Sequence, residues 1–238
     1  MNHHHFHSID STNTWAKKNA ATFSRKEITL ITADTQTAGR GRFHRSWSSP
    51  PDQNIYATFC FFMDGYSASL GNIPQILAIS TAETLKHFGF QPNLKWPNDI
   101  LLSDKKVAGI LCETTSVPDA LCIVLGIGLN VNMTKDYLVE ISRPATSLYM
   151  ESGRLFDRQA ILEELQKRFQ KDIASFLLSG FHVFKEQYQQ LLSISGLIRF
   201  HDADRVCEGT FHSLAEDGSL NLLLEGNVVR NFKAGEIG

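Results

Sequence analysis

The sequence predicts an α+β chain in which a mixed β-sheet flanked by helices is followed by a small all-β domain. Three observations carry this. β-rich apolar runs alternate with two long stretches of helical periodicity through most of the chain, at Ile73 to Phe88 and at Asp157 to Leu178. Beyond Ser195-Gly196 the texture changes to brief strands separated by turn residues. A length of 238 residues with 42% apolar residues holds one large and one small domain with a substantial core.

At the start, His3, His4, His5 and His7 alternate in part along a strand-like run. No cysteine or acidic residue accompanies them in sequence, so they read as a frayed or strand-edge terminus and no metal is expected. The first strong strand runs from Ile28 to Ala33. It opens into a polar segment, Thr35 to Asn54, too long for a simple connection and therefore a candidate functional loop. Ile55 to Phe62 reads as a buried strand. The helix over Ile73 to Phe88 follows from Ile73, Ile76, Leu77, Leu85 and Phe88 on one face, and Gly89 stops it. Strands at Asp99 to Leu102 and Lys106 to Glu113 are joined by the turn Ser103-Asp104-Lys105. Leu121 to Asn132 is a further apolar run, broken by Gly126 and Gly128 where the backbone is read as approaching something closely. Asp157 caps the long second helix and Gly180 ends it, and a shorter helix runs to about Leu192. The last strands fall at Leu197 to Phe200, Val206 to Phe211, Leu220 to Leu224 and Val228 to Phe232, a pattern that suggests a small barrel.

Charged residues make up 20% of the chain and the formal net charge is −2, which argues against general polyanion binding; a phosphate site must be local. Cys60, Cys112, Cys122 and Cys207 form no C-x-x-C pair, sit mostly inside apolar runs and read as reduced core thiols. No window approaches the ~18 apolar residues of a membrane span, so a cytoplasmic protein without a membrane partner is expected.

Chemistry concentrates in the loop. In Gln36-Thr37-Ala38-Gly39-Arg40-Gly41-Arg42 the glycines free backbone N–H groups, and the arginines supply forked donors that match phosphate oxygens. A solvated basic turn fits the same residues equally well. Lys95-Trp96-Pro97-Asn98-Asp99 aims two polar groups from a rigid corner, as an ion pair or as part of a site. Gly126-Ile127-Gly128-Leu129-Asn130 lacks the third glycine of a dinucleotide fingerprint, because Val131 stands there. Gly39 and Gly41 precede no G-K-[ST] ending, so no Walker A loop is present.

Taken in order, Asp10-Ser11-Thr12-Asn13, Gly39-Arg40-Gly41-Arg42 with Trp47, Lys95 to Asp99, Lys106 to Leu111 and Gly126 to Asn130 resemble the biotin protein ligases over nearly the whole chain. The resemblance implies a catalytic domain of the type shared with class II aminoacyl-tRNA synthetases over residues 1–193, and a small SH3-like β-barrel over 194–238. It implies activation of biotin by ATP to biotinyl-5′-AMP, then transfer to a lysine of the biotin carboxyl carrier protein of acetyl-CoA carboxylase, with Mg²⁺ accompanying ATP. Ser11, Thr12, Asn13 and Gln36 then hold the biotin ring system, with Gly39, Arg40, Gly41, Arg42 and Gly109 around it. Thr12 is also a candidate helix cap. Arg42, Arg45, Trp47, Asn98 and Asn130 contact ATP or the adenylate. Lys106 touches both the biotin carboxylate and the α-phosphate, and Lys106, Arg40 and Asp99 are the candidate catalytic residues. The segment Thr134 to Leu148, which covers adenine in the family, carries Pro144-Ala145 and no large aromatic but Tyr137, so no residue is assigned to stack the purine. Because the S-T-N segment starts at Ser11, no winged-helix domain and no DNA partner are expected, and the chain is read as a monomer or homodimer. The alternatives are a lipoate or octanoate ligase or transferase of the same superfamily, and a noncatalytic phosphate- or nucleic-acid-binding module.

Overall fold

A computed structural model describes residues 1–63, 68–139, 141, 143–202 and 205–238. In chain order its elements are β1 (Asn2–Ile9), α1 (Thr12–Asn19), β2 (Thr29–Gln36), β3 (Ile55–Met63), α2 (Ile73–His87), β4 (Asn93–Lys95), β5 (Asp99–Leu102), β6 (Lys105–Val117), β7 (Ala120–Leu129), α3 (Lys135–Val139), α4 (Leu148–Ser152), α5 (Arg158–Ser179), α6 (His182–Leu191), β8 (Leu197–Asp202), β9 (Arg205–Leu214), β10 (Leu220–Leu224), β11 (Val228–Phe232) and β12 (Glu236–Ile237). They fall into two compact units: residues 1–67 with 102–163, and residues 68–101 with 164–238.

In the first unit five strands lie in the order β1-β2-β3-β7-β6. β1 runs parallel to β2 and the remaining pairs are antiparallel, so the sheet is mixed. β3 and β7 are buried almost throughout, which is why both read as continuous apolar runs rather than alternating ones. On one face of the sheet α1 packs Ala16, with Ala20 and Phe23 beyond it, against Ile31, Cys60, Cys122 and Val124. Burying a side chain such as Phe23 in this way is worth ~1.5–3 kcal/mol. The N-cap of α1 is Ser11, whose hydroxyl accepts from Thr14 N at 3.4 Å; the candidate cap Thr12 is already inside the helix. The histidine-bearing terminus is an eight-residue edge strand paired along its length with β2. Ser103 and Asp104 form a two-residue turn with φ of 48° and 60°, the left-handed pair that a tight hairpin turn demands.

In the second unit α2 is buried on nearly every side, and the hydroxyls of Ser80, Thr81 and Thr84 donate to the carbonyls four residues back, which lets polar residues sit in a buried helix. Gly89 leaves it with φ 91°, and Gly180 closes α5 with φ 80° and an N–H donated to Phe176 O at 2.7 Å. Asp157 accepts from Gln159 N at 2.8 Å, as a cap for α5 should. The final strands form an antiparallel sheet in the order β11-β10-β9-β8-β12. Its turn at Asp217-Gly218 accepts hydrogen bonds from Asn72, Gln75 and Trp96 of the same unit. Among the described residues no helix is long and apolar enough to cross a membrane.

Candidate active site

The site in the first unit is built on a floor of missing side chains. Gly109 of β6 faces Gly128 of β7 across the ladder, and Gly126 faces Leu111. A β-carbon at Gly128 would overlap the Trp47 indole, and one at Gly126 would overlap the Asn13 amide. At Gly109 it would stand 2.8 Å from Lys106 Nζ and 3.0 Å from Trp47. Asn13, Trp47 and Lys106 therefore lie against the sheet because three glycines leave room for them. The Lys106 ammonium lies 5.3 Å from the centroid of the Trp47 ring, within range of a cation–π contact. Trp47 Nε1 is buried and has no hydrogen-bond partner among the described residues.

Above this floor stands a buried polar wall. Ser11, Thr12 and Asn13 are each at most 4% exposed. Gln36 Oε1 accepts from Thr12 N at 2.9 Å and from Thr12 Oγ1 at 3.2 Å, while Gln36 Nε2 donates to Ser49 Oγ at 3.1 Å. Thr58 Oγ1 lies 2.8 Å from Thr12 Oγ1 and 2.7 Å from Asn13 Oδ1. Asn13 Nδ2 donates to Leu111 O at 3.3 Å and to Glu113 Oε2 at 3.1 Å. Such a network fixes the amide and hydroxyl orientations before any ligand arrives.

Glu113 gathers cations as well. Its Oε1 accepts from Lys17 Nζ at 2.6 Å and from Arg40 Nη2 at 2.8 Å. Burial pushes the carboxyl up, but the hydrogen bonds from Lys17 and Asn13 and the charges of Lys17 and Arg40 outweigh it and hold it below the usual carboxylate range. Next to it, burial and then the Glu113 charge push the Cys112 thiol up to about 12, so this cysteine is no nucleophile at neutral pH. All four cysteines are free thiols, but only Cys60 and Cys122 are in the core; Cys112 and Cys207, expected there too, are half-buried because their strands have one face toward solvent.

The Gly-Arg loop is folded back on itself. Gly39 O accepts from Trp47 N at 2.9 Å, Gly41 N donates to Arg45 O at 2.8 Å, and Arg40 bridges to Ser46. Gly39 has no room for a side chain against Trp47 O and Ser49 Oγ. At the tip Phe43 and His44 adopt φ of 56° and 58°, a region that non-glycine residues rarely occupy. The 57% exposed Phe43 ring carries the guanidinium groups of Arg42 and Arg45 at 4.8 and 5.5 Å from its centroid. Arg40 thus points to the polar wall, and Arg42 and Arg45 gather at the exposed tip.

Lys106 is held by the segment that follows α3. Its N–H donates to Pro144 O at 3.0 Å and its carbonyl accepts from Thr146 N at 2.9 Å, a single parallel bridge that sets Ala145 beside it. Residues 140 and 142 of the stretch read as the adenine cover lie outside the described residues. Asn130 is 2% exposed; its Nδ2 donates to Thr146 O at 2.9 Å and its Oδ1 lies 3.5 Å from Asn54 Nδ2. This side chain holds the 144–146 segment in place. Asn98 and Asp99 belong to the second unit, where Trp96-Pro97 is a cis peptide and Asp99 stands opposite Lys95 in the antiparallel β4–β5 register.

Glu113 and Thr58, with Lys17 and Ser49, were not singled out in the sequence. Glu113 shares a strand face with Gly109 by the two-residue period, and Thr58 lies opposite Gly126 in the β3–β7 register. Periodicity from the glycines marks the first; the second needs the register, which no sequence motif supplies.

A sequence model of the biotin/lipoate A/B protein ligase family matches residues 5–130. The bifunctional ligase/repressor BirA of Bacillus subtilis is 31% identical over 228 residues, which is 93% of this chain and 69% of that protein. The biotin–[acetyl-CoA-carboxylase] ligase of Paracoccus denitrificans is 29% identical, with 90% of each chain covered. Among solved structures, the biotin protein ligase of Aquifex aeolicus in complex with biotin and ATP superposes with a TM-score of 0.82 at 29% identity, covering all of this chain and 97% of that one.

Proposed function

This chain belongs to the biotin/lipoate A/B protein ligase family, and from that premise we propose that it is a biotin protein ligase that forms biotinyl-5′-AMP from biotin and ATP and passes the biotinyl group to a carrier lysine. One observation carries the reading: the buried Thr12 and Asn13 and the half-buried Gln36 offer their donors and acceptors beside Lys106 and Arg40 over the bare glycine floor. A neutral urea-like ring suits the former and a carboxylate or phosphate the latter.

In the first step a biotin carboxylate oxygen attacks the α-phosphorus of Mg-ATP, the bond to the β-phosphate oxygen breaks, and pyrophosphate leaves. Negative charge gathers beside the Lys106 ammonium, whose backbone the Pro144–Thr146 segment holds on both sides. Arg40 exchanges Glu113 for the ligand's anionic group, and Arg42 and Arg45 leave Phe43 for phosphate oxygens as the loop closes. Each charge-assisted bond of this kind is worth ~1.5–3 kcal/mol, enough in sum to retain a reactive mixed anhydride. In the second step the neutral carrier amine attacks the acyl carbon, the bond to the AMP oxygen breaks and AMP departs. Asp99 takes the amine's proton or orients the amine, and Asn98 contacts the nucleotide. Asn130 acts through the 144–146 segment that it anchors.

We assign catalysis and ligand binding to residues 1–193 and an appended role to 194–238, place the protein in the cytoplasm, and take the carrier domain of acetyl-CoA carboxylase as its substrate. Incubation with biotin, Mg-ATP and that carrier domain, read by intact mass, tests the reading; biotinylation of one lysine is expected, and an unmodified carrier overturns it. The same assay with lipoate separates the sister activity. Lys106→Ala should abolish biotin-dependent exchange between pyrophosphate and ATP, and unchanged exchange removes the role given to Lys106.

A further inference from the structure

We propose that His5, His7 and Asp34 form a binding site for a divalent transition-metal ion of the zinc class, on the edge of the sheet and apart from the ligase chemistry. The parallel β1–β2 register sets His5 opposite Thr32 and Ser8 opposite Thr35, so the odd-numbered histidines of β1 share a face with Thr32 and Asp34 of β2. Asp34 Oδ2 lies 3.3 Å from His5 Nε2 and 3.0 Å from His7 Nδ1, and the three donor atoms all lie within 4.8 Å of one another. Bonds of ~2.0–2.2 Å to a tetrahedral ion put donors roughly 3.3–3.6 Å apart, so a shift of about an ångström brings the three into place.

The surroundings fit ligation rather than a simple ion pair. His5 Nδ1 is 3.0 Å from Thr32 Oγ1, which leaves the Nε2 lone pair to the ion when Nδ1–H donates to that hydroxyl. Thr32 Oγ1 is in turn 2.8 Å from His3 Nε2, so the outer partner is itself tied down. Asp34 splits its oxygens: Oδ1 faces Arg158 at 4.0 Å, and Oδ2 faces the imidazoles. Arg158 is drawn off toward Asp52 Oδ1 at 3.0 Å and Asn54 O at 3.2 Å, which spares Asp34 for a cation. Exposed imidazoles leave the remaining coordination positions to water. Two imidazoles and one carboxylate favour a borderline ion over Mg²⁺, so nucleotide-bound Mg²⁺ does not compete. His4 takes no part: it points to the opposite face and packs at 5.2 Å from Trp15 and 6.1 Å from Phe23.

The test is Zn²⁺ titration of the full chain against a chromophoric chelator, in millimolar Mg²⁺. One Zn²⁺ per chain is expected, with affinity at least tenfold weaker in His7→Ala and in Asp34→Asn, and unchanged in His4→Phe. Zn²⁺ should also raise the melting temperature of the wild type but not of Asp34→Asn, which holds even if the variant folds less stably. Binding that survives Asp34→Asn, or that falls as much in His4→Phe as in His7→Ala, would mark a flexible histidine tract and overturn the proposal, as would no binding.

Discussion

At the scale of single residues, the three glycines of β6 and β7 decide what the site can hold. Gly128→Ala places a methyl where the Trp47 indole lies, and the ring, packed between strand and loop, has no flexible end to move. Expulsion of Trp47 takes its backbone partner Gly39 with it, since Trp47 N donates to Gly39 O. A tenfold or greater loss of biotin affinity is expected, read by calorimetry beside Trp47 fluorescence; undisturbed affinity with a fully folded variant would show that Trp47 lies outside the ligand's contacts. Glu113 gives a second prediction. Its carboxyl is held below the ordinary range in the folded chain, so its contribution to stability is full above the unfolded value near 4.5 and is lost as pH falls through the folded value. The gap in melting temperature between the wild type and Glu113→Gln should therefore be constant from pH 7 down to about 5 and shrink below about 4.5. A gap that widens with acid would mean that Glu113 is not held by Lys17 and Arg40 in solution.

At the scale of elements, the loop from Gly39 to Ser49 is a closed hairpin-like turn that stores its arginines in two places, Arg40 on Glu113 and Arg42 with Arg45 on Phe43. Exposed Phe43 and two left-handed residues at the tip make this arrangement easy to give up once phosphate oxygens compete for the guanidiniums. Arg42→Gly should accordingly leave adenylate formation largely intact and let the adenylate escape, so that lysines of bystander proteins become biotinylated; labelling confined to the carrier would deny the loop its retaining role. The same element shows how far sequence goes. Gly39, Arg40 and Trp47 stand out as a motif, α2 and α5 follow from periodicity and from Gly89 and Gly180, and β3 follows from its unbroken apolar run, because each is fixed within one stretch of chain. The partner of Arg40 lies 73 residues away at Glu113, and Asn13 reaches the same carboxylate 100 residues on. Those distances close only when β6 takes its place in the sheet. Asp34 beside His5 and His7 is the same kind of case: the sequence shows histidines without an acid, and the parallel pairing of β1 with β2 supplies one.

At the scale of the whole molecule, chain order and compact units do not coincide. The strands after Leu197 share their unit with α2, β4, most of β5 and the greater part of α5, so residues far apart in sequence hold one another in place. Gly218 is the crossing point. Its carbonyl accepts from Gln75 Nε2 at 2.9 Å and from Trp96 Nε1 at 3.3 Å, over 143 and 122 residues of chain. Trp96 itself is 2% exposed, and its ring packs 5.7 Å from that of Phe200. Gly218 sits at φ 71°, and a β-carbon there would overlap Asn72 and stand 2.9 Å from Phe181. Gly218→Ala therefore meets a left-handed backbone and a filled space together. The backbone change alone costs more than ~0.4–1 kcal/mol, and overpacking adds ~1–3 kcal/mol. At roughly 2–4 °C per kcal/mol for a chain of this size, a fall in melting temperature of about 4–10 °C is expected by calorimetry. Because the turn, α2 and the Trp96 corner share these bonds, amide protection should weaken in Ile73–His87 as well as in β9 and β10. Loss confined to β9 and β10 would mean that the final strands stabilise only themselves, and that the boundary near residue 193 separates folding units as well as proposed roles.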